Sequence, residues 1–259
     1  MNNLLKLEFR RLFRAKSFYI CLAITFPMIV LAAFTFKFLL LMDVPAEEVE
    51  AMKDMLGSEF NSLSVLKSVI SYASLPTILA IFVTIFVTDE YANDIIKNVY
   101  SKGYSRERIF FSKYLSSLAA TLLFFLADAI AAMIVGKVLF GAFGTMGKNY
   151  IPALLASLFL LFAYHSLFFL IGISIRKSGG AIALSIIGPK IITLVLGLID
   201  AIKDSEENTF SSYWLEGRLS VLSATDVTGK DILIAFLIGG IVIAACIVGG
   251  YFLNKARER

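Results

Sequence analysis

Three ionisable side chains stand alone inside long apolar runs of this 259-residue sequence. Asp128 sits in Phe-Leu-Ala-Asp-Ala-Ile, His165 lies between Tyr164 and Ser166, and Lys190 follows Pro189. A carboxyl, an imidazole and an amine are the groups that relay protons or hold charged ligands. Each is costly in hydrocarbon unless it meets a partner or water. Asp128 reads either as a pathway or proton-relay residue or as a buried interhelical contact. His165 is the only histidine, so it cannot build a metal site by itself. Its expected role is an interhelical hydrogen bond. Lys190 can face a polar cavity or pair with Asp128, since a proline leaves a carbonyl free one turn earlier.

These residues need a scaffold, and composition says which. The chain is 58% hydrophobic and 17% charged, with a mean hydropathy of +0.82. A soluble domain of this length needs more polar residues to cover its surface. The apolar residues fall into six blocks, 17–42, 69–88, 114–141, 151–175, 179–202 and 231–253. Each is long enough to cross a hydrocarbon core as a helix. The runs are continuously apolar instead of alternating with period two, which points away from a barrel. The expected fold is an all-α integral membrane protein, a single transmembrane domain over 1–259. The first block is too long for a signal-peptide core, so it reads as a retained helix kinked at Pro27. Cys21 and Cys246 lie within spans and read as small apolar residues.

Basic residues alternate between the segments that join these spans. Lys6, Arg10, Arg11, Arg14 and Lys16 precede the first. Lys97, Lys102, Arg106, Arg108 and Lys113 lie between the second and third, Arg176 and Lys177 follow the fourth, and Lys255, Arg257 and Arg259 close the chain. The opposite segments hold most of the acids, including Asp43, Glu47, Glu48, Glu50, Glu206 and Glu207. The positive-inside rule then puts both termini in the cytoplasm. The net charge of +4 thus describes topology. No basic–aromatic groove points to nucleic acid.

Residues 1–16 read as an interfacial amphipathic helix. Leu5, Phe9 and Leu12 form an apolar face, and Lys6, Arg10 and Arg14 form a basic stripe for anionic headgroups of membrane lipid. Residues 89–113 are the most informative. Ile95, Ile96, Val99 and Tyr100 share one face of a helix over 89–101, Asp94 can pair with Lys97, and Gly103 suits its C′ position. Ser105 suits the N-cap of a second helix that runs into span three. The result is a cytoplasmic helical hairpin between spans two and three. Its exposed apolar face suits docking, while Glu90, Arg106 and Lys113 by themselves read as solvated charges. On the other side, residues 46–56 read as a short surface helix and 203–230 as a loop anchored by Tyr213 and Trp214. Small residues at Gly239-Gly240, Ala244-Ala245 and Gly249-Gly250 allow close packing of span six.

The run Asp89-Glu90-Tyr91…Ile95-Ile96-Lys97-Asn98…Gly103-Tyr104-Ser105-Arg106…Ile109…Lys113, together with six spans and a basic amphipathic start, resembles the ABC-2 type permeases. Asp94 departs from the glycine or polar residue that this family often carries there. The resemblance covers the whole chain in topology and chiefly 89–113 in residues. It implies a permease subunit of an ATP-driven exporter, for an amphipathic peptide, a drug-like or a lipid-like substrate, similar to bacteriocin, lantibiotic or multidrug export permeases. It also implies pairing with a second permease chain, as a homodimer or with a sister permease, and docking of cytoplasmic ABC ATPase subunits on 89–113, with Glu90, Arg106 and Lys113 in contact with the ATPase or bracing the loop. No Gly-x-x-x-x-Gly-Lys-Ser/Thr loop occurs in the chain. The permease is therefore expected to be non-catalytic and to hold no cofactor, with ATP and Mg in the partner ATPase. The alternative is an ion-coupled secondary carrier in which Asp128, His165 and Lys190 converge near the membrane midplane. An intramembrane enzyme is disfavoured, because a single histidine cannot supply a metalloprotease ligand set and no serine has an evident basic partner.

Overall fold

The computed structural model describes residues 2–41, 61–71, 74–92, 104–203, 210–224 and 226–256, and among these it is helical with no strand. Helix α1 (Asn2–Leu12) leads into α2 (Lys16–Leu41). Then come α3 (Ser62–Ser71), α4 (Ser74–Ala92), α5 (Arg106–Phe140), α6 (Tyr150–Ile175) and α7 (Ser178–Lys203). A 3-10 turn at Phe210–Tyr213 precedes the short α8 (Leu215–Ser223), and α9 (Gly229–Ala256) follows. Helices α2, α4, α5, α6, α7 and α9 are long and apolar enough to cross a membrane. The chain is an all-α, multi-pass membrane protein.

Helix α6 is the axis of the bundle. It packs against α4, α5, α7, α8 and α9, and Leu160, Leu161 and Ala163 are sealed from solvent. Helix α4 is similarly enclosed, whereas α7 and α9 turn Leu194, Leu198, Leu237 and Ile241 outward. Such apolar surface is what a hydrocarbon solvent accepts. Where α2, α4 and α5 meet, Phe18, Phe82 and Phe124 cluster in edge-to-face and tilted contacts with ring centroids 5.1–5.8 Å apart. Geometries of this kind add to the area that aromatic rings bury.

Small residues set several of the close approaches. A Cβ on Gly136 of α5 would lie 2.4 Å from the Cα of Ser62, so α3 rests directly on the α5 backbone. Asn61 starts α3 by accepting from the backbone N–H groups of Leu63 and Ser64 at 2.9 and 3.1 Å, as an N-cap should. Gly239 faces Phe159 of α6 and Gly250 faces the Phe110 ring, while Gly240 meets open space. The small-residue pattern of span six therefore serves packing at some of its positions and not at others.

The second span differs from its expected limits of 69–88. Helix α4 carries it, with a candidate membrane span of Ser74–Tyr91, and α3 is a shorter apolar helix before it. The third starts at Arg106, since α5 runs unbroken for 35 residues. Ser105 does precede it with an extended backbone, though its side chain makes no cap hydrogen bond. The stretch 203–230, read above as a surface loop, holds α8, which packs against α3 and α6. Leu215, Leu219 and Leu222 recur at i, i+4 and i+7 and are buried. Residues 46–56 lie outside the described residues.

Replacing Gly136 with Leu should push α3 off α5. Overpacking of this kind costs about 1–3 kcal/mol. A lowered unfolding midpoint of the detergent-purified chain is the expected result, with Gly147→Leu, which meets nothing within 4 Å, as the unaffected control.

Candidate functional site: a buried ion cluster and two polar seams

Two cations meet one carboxylate where the N-terminal helix touches the bundle. Glu90 near the end of α4 forms ion pairs with Arg11 of α1 and with Lys113 of α5. Arg11 also pairs with Glu8 at 3.4 Å and donates from Nη2 to the Phe86 carbonyl at 2.9 Å. Its guanidinium lies 4.7 Å from the centroid of the Phe86 ring. Tyr91 sits between Lys113 at 5.0 Å and Arg176 at 4.6 Å, each over its ring. Glu8, Glu90 and Lys113 are each no more than 3% exposed. Two acids and two bases balance here, the condition under which charges tolerate burial. Burial pushes the Glu8 carboxyl above its usual range, against the opposing pull of Arg11. Burial also lowers the Arg11 guanidinium, against the pull of Glu8 and Asp89.

This cluster ties α4 to α5, the helices on either side of the segment 93–103. Glu90 lies just before it and Lys113 lies after it, on the first turns of α5. The face expected to dock, with Asp94, Ile95, Ile96, Val99 and Tyr100, falls within that segment and outside the described residues, as do Lys97, Lys102 and Gly103. Glu90 and Lys113, weighed above as contact or bracing residues, are here enclosed by the chain itself. Arg106 is exposed at the start of α5.

A second polar seam joins α5 to α6. His165 Nε2 and Ser117 Oγ are 2.8 Å apart, and Tyr114 OH and Ser166 Oγ are 2.7 Å apart. His165 is fully buried against Tyr114 and Phe169. It thus makes the interhelical bond expected of it. Asp128 is 1% exposed, and neither carboxyl oxygen has a hydrogen-bond partner. Thr25 of α2 is the hydroxyl beside it, but it donates to the Leu22 carbonyl at 2.8 Å.

Lys190 has a partner other than Asp128. Its Nζ lies 3.0 Å from Oε1 of Glu216 on α8, and Thr193 donates to Oε2 of the same carboxylate at 2.8 Å. The lysine side chain is half exposed although it stands midway along α7. Pro189, Ser185 and Tyr164 line the same crevice. His165 and Lys190 therefore meet different partners, and Asp128 meets neither of them. Asp128 and the His165 partner Ser117 are also eleven residues apart on α5, about 16 Å along the axis. The convergence that an ion-coupled carrier needs is not what the fold builds.

Sequence reasoning missed Arg11, Glu8, Glu216 and Arg218. The buried face of α1 is Leu4, Glu8 and Leu12, with Arg11 beside it. It is rotated from the expected face of Leu5, Phe9 and Leu12, while Lys6, Arg10 and Arg14 do point outward. A lone acid in a basic helix, at i+4 from Leu4, was the available signal. Arg218 is buried beneath α9, donating to the Ser212 carbonyl at 3.0 Å and to Asp231 at 3.3 Å. Trp214, expected as an anchor, is half-buried at the start of α8, and its indole N–H has no partner. Among the described residues, no group of three or more His, Cys, Asp or Glu side chains stands where it can hold a metal ion.

Over residues 4–200 the sequence matches the family described as ABC-2 family transporter protein. No curated protein and no solved structure matches it.

The two ion pairs differ in what their loss should cost. Glu90→Ala leaves Arg11 and Lys113 buried without their shared counter-charge, a change worth about 3–5 kcal/mol. Lys190→Ala leaves Glu216 its hydrogen bond from Thr193 and strands no second buried charge, so it should cost less. Unfolding of the two purified variants in mixed detergent, measured against the wild type, should rank them in that order.

Proposed function

Because the chain belongs to the ABC-2 transporter family, and so is the membrane component of an ABC transporter, we propose that it is an export permease driven by a separate ATPase. It forms the translocation pathway for an amphipathic peptide, a drug-like or a lipid-like substrate. It works beside a second permease chain, either a copy of itself or a sister permease. Both termini are cytoplasmic, and ATP and Mg bind only in the partner ATPase. The segment 93–103 docks in that ATPase, and closure of the ATPase pair biases the permease between its inward and outward states, a coupling between two sites through one element.

The observation that carries this reading is the buried cluster of Glu90, Arg11 and Lys113. A coupling segment transmits a push only if its roots are fixed to the elements that must move. Here one root lies on α4, the other on α5, and α1 is tied to both. The half-exposed Lys190–Glu216 pair supports the pathway. A charge at that height on a membrane-crossing helix needs water or protein in front of it, and α7 and α8 are the elements that provide such a face.

The test is copurification. The tagged full-length chain, expressed at native level and extracted in mild detergent, should carry an ATPase subunit in near-stoichiometric amount. Ile95→Asp with Ile96→Asp should lower that yield about tenfold while the unfolding midpoint of the permease stays where it was. A folded wild-type chain that brings down no ATPase would sink the reading.

A further inference from the structure

Lys6, Arg10 and Arg14 recur at i, i+4 and i+8 along α1 and the turn that follows it, and the fold leaves all three exposed. At 3.6 residues per turn, the buried Leu4, Glu8 and Leu12 take the opposite side, and α1 packs against α5. The three cations form no ion pair, hydrogen bond or ring contact among the described residues. Glu8 is the acid of α1, and it is turned inward to the ion cluster. No carboxylate of the helix neutralises the stripe.

A row of cations alone reads as a solvated face. Two observations on the same side point to lipid. Leu7 and Phe13 flank the stripe, one at each margin, and are 47% and 48% exposed. Phe13 joins this side to the outer surface of α2. The Tyr19 hydroxyl donates to the Phe13 carbonyl at 3.0 Å, and the Phe13 ring meets Phe18 edge-on with centroids 6.0 Å apart. Tyr19 and Ile20 are more than half exposed on this membrane-crossing helix, where hydrocarbon accepts an apolar surface. Depth is the second observation. Arg11 reaches the Phe86 carbonyl and Glu90, near the end of the span Ser74–Tyr91. Helix α1 therefore lies at the height where α4 leaves the hydrocarbon, which is where headgroups sit.

We propose that the outward side of α1 binds anionic lipid of the adjoining leaflet. Headgroup phosphates meet Lys6, Arg10 and Arg14, and acyl chains rest against Phe13, Tyr19 and Ile20. An interfacial helix commonly lays its apolar face in the bilayer. Here the bundle covers that face, so charge is what selects the lipid. Zwitterionic lipid brings the stripe no net counter-charge. An acidic protein surface would neutralise the cations too, but it would leave the apolar path from Phe13 to Tyr19 unused.

Tryptophan quenching in bilayers tests this on the full chain without any ATPase, so it stands or falls separately from the exporter reading. The probe is Leu7→Trp in a Trp214→Phe background. It is reconstituted in phosphatidylcholine that carries either brominated phosphatidylglycerol or brominated phosphatidylcholine. Quenching should show phosphatidylglycerol preferred at that position by at least about fivefold, the worth of one cation at an anionic surface. Adding Lys6→Gln, Arg10→Gln and Arg14→Gln together should bring the preference close to one, and raised salt should lower it with the stripe intact. The fold needs no contact from these side chains, so an unchanged unfolding midpoint in neutral detergent checks that the triple variant is folded. Equal quenching by the two lipids with the stripe intact overturns the proposal. So does a preference that survives the triple substitution; if the yield of a copurifying ATPase falls instead, the stripe is a protein contact.

Discussion

The Glu90 carboxylate carries one negative charge in a place that water barely reaches. Such a group is stable only where cations are brought to it in fixed positions. Arg11 arrives from the N-terminal helix and Lys113 from the start of the longest helix. Three elements that are far apart in sequence are therefore held to one point. The seating of α1 follows from this, because Glu8 and Arg11 form part of its buried face. So does the spacing of α4 from α5, and with it the separation of the two roots of 93–103. An apolar contact could hold these helices together, but it would tolerate sliding. A shared carboxylate does not, since each cation must stay within reach of its oxygens.

The remaining polar groups obey the same constraint with smaller means. Thr88 of α4 donates to the Thr84 carbonyl at 2.7 Å, and Ser116 and Ser117 of α5 both donate to the Lys113 carbonyl at 2.9 Å. Hydroxyls on a membrane helix commonly find the preceding turn in this way. His165 reaches across helices to Ser117 and so joins α6 to α5. Helix α8 brings a larger consequence. It carries Glu216 down to the middle of α7, where it neutralises Lys190. Gly217 makes that descent possible, since a Cβ there would lie 2.1 Å from the Ser211 carbonyl oxygen. Asp128 is an exception, a buried carboxyl without a hydrogen-bond partner.

Much of the scaffold could be read from the sequence, and the reason is the solvent. Hydrocarbon demands long uninterrupted apolar runs, so the first, fourth, fifth and sixth helices announce themselves within a few residues of their observed limits. The N-terminal helix was legible too, as was Ser105 as the residue before α5. What failed was rotation and depth. The basic stripe of Lys6, Arg10 and Arg14 is visible from spacing, but which flank of α1 meets protein depends on Glu90 and Lys113, residues seventy-five and more positions away. The separation of the short helix α3 from α4 leaves no mark in hydropathy, because both are apolar. Helix α8 lay hidden because a stretch of 28 residues with serines and acids reads as a loop, though Leu215, Leu219 and Leu222 hold the helical interval. The pairing of Lys190 was likewise illegible until α8 was placed, and Asp128, the obvious acid, was the wrong partner.

The central claim is that Glu90 and Lys113 act as one unit, and a double-mutant cycle measures that most directly. Glu90→Gln, Lys113→Met and the pair together would be unfolded in mixed detergent beside the wild type. If the account is right, the double variant is less damaged than the sum of the singles, with a coupling of more than about 1 kcal/mol, as contacting charges show. Additivity within about 0.5 kcal/mol, the behaviour of independent sites, would contradict it and leave the roots of 93–103 fixed by packing alone.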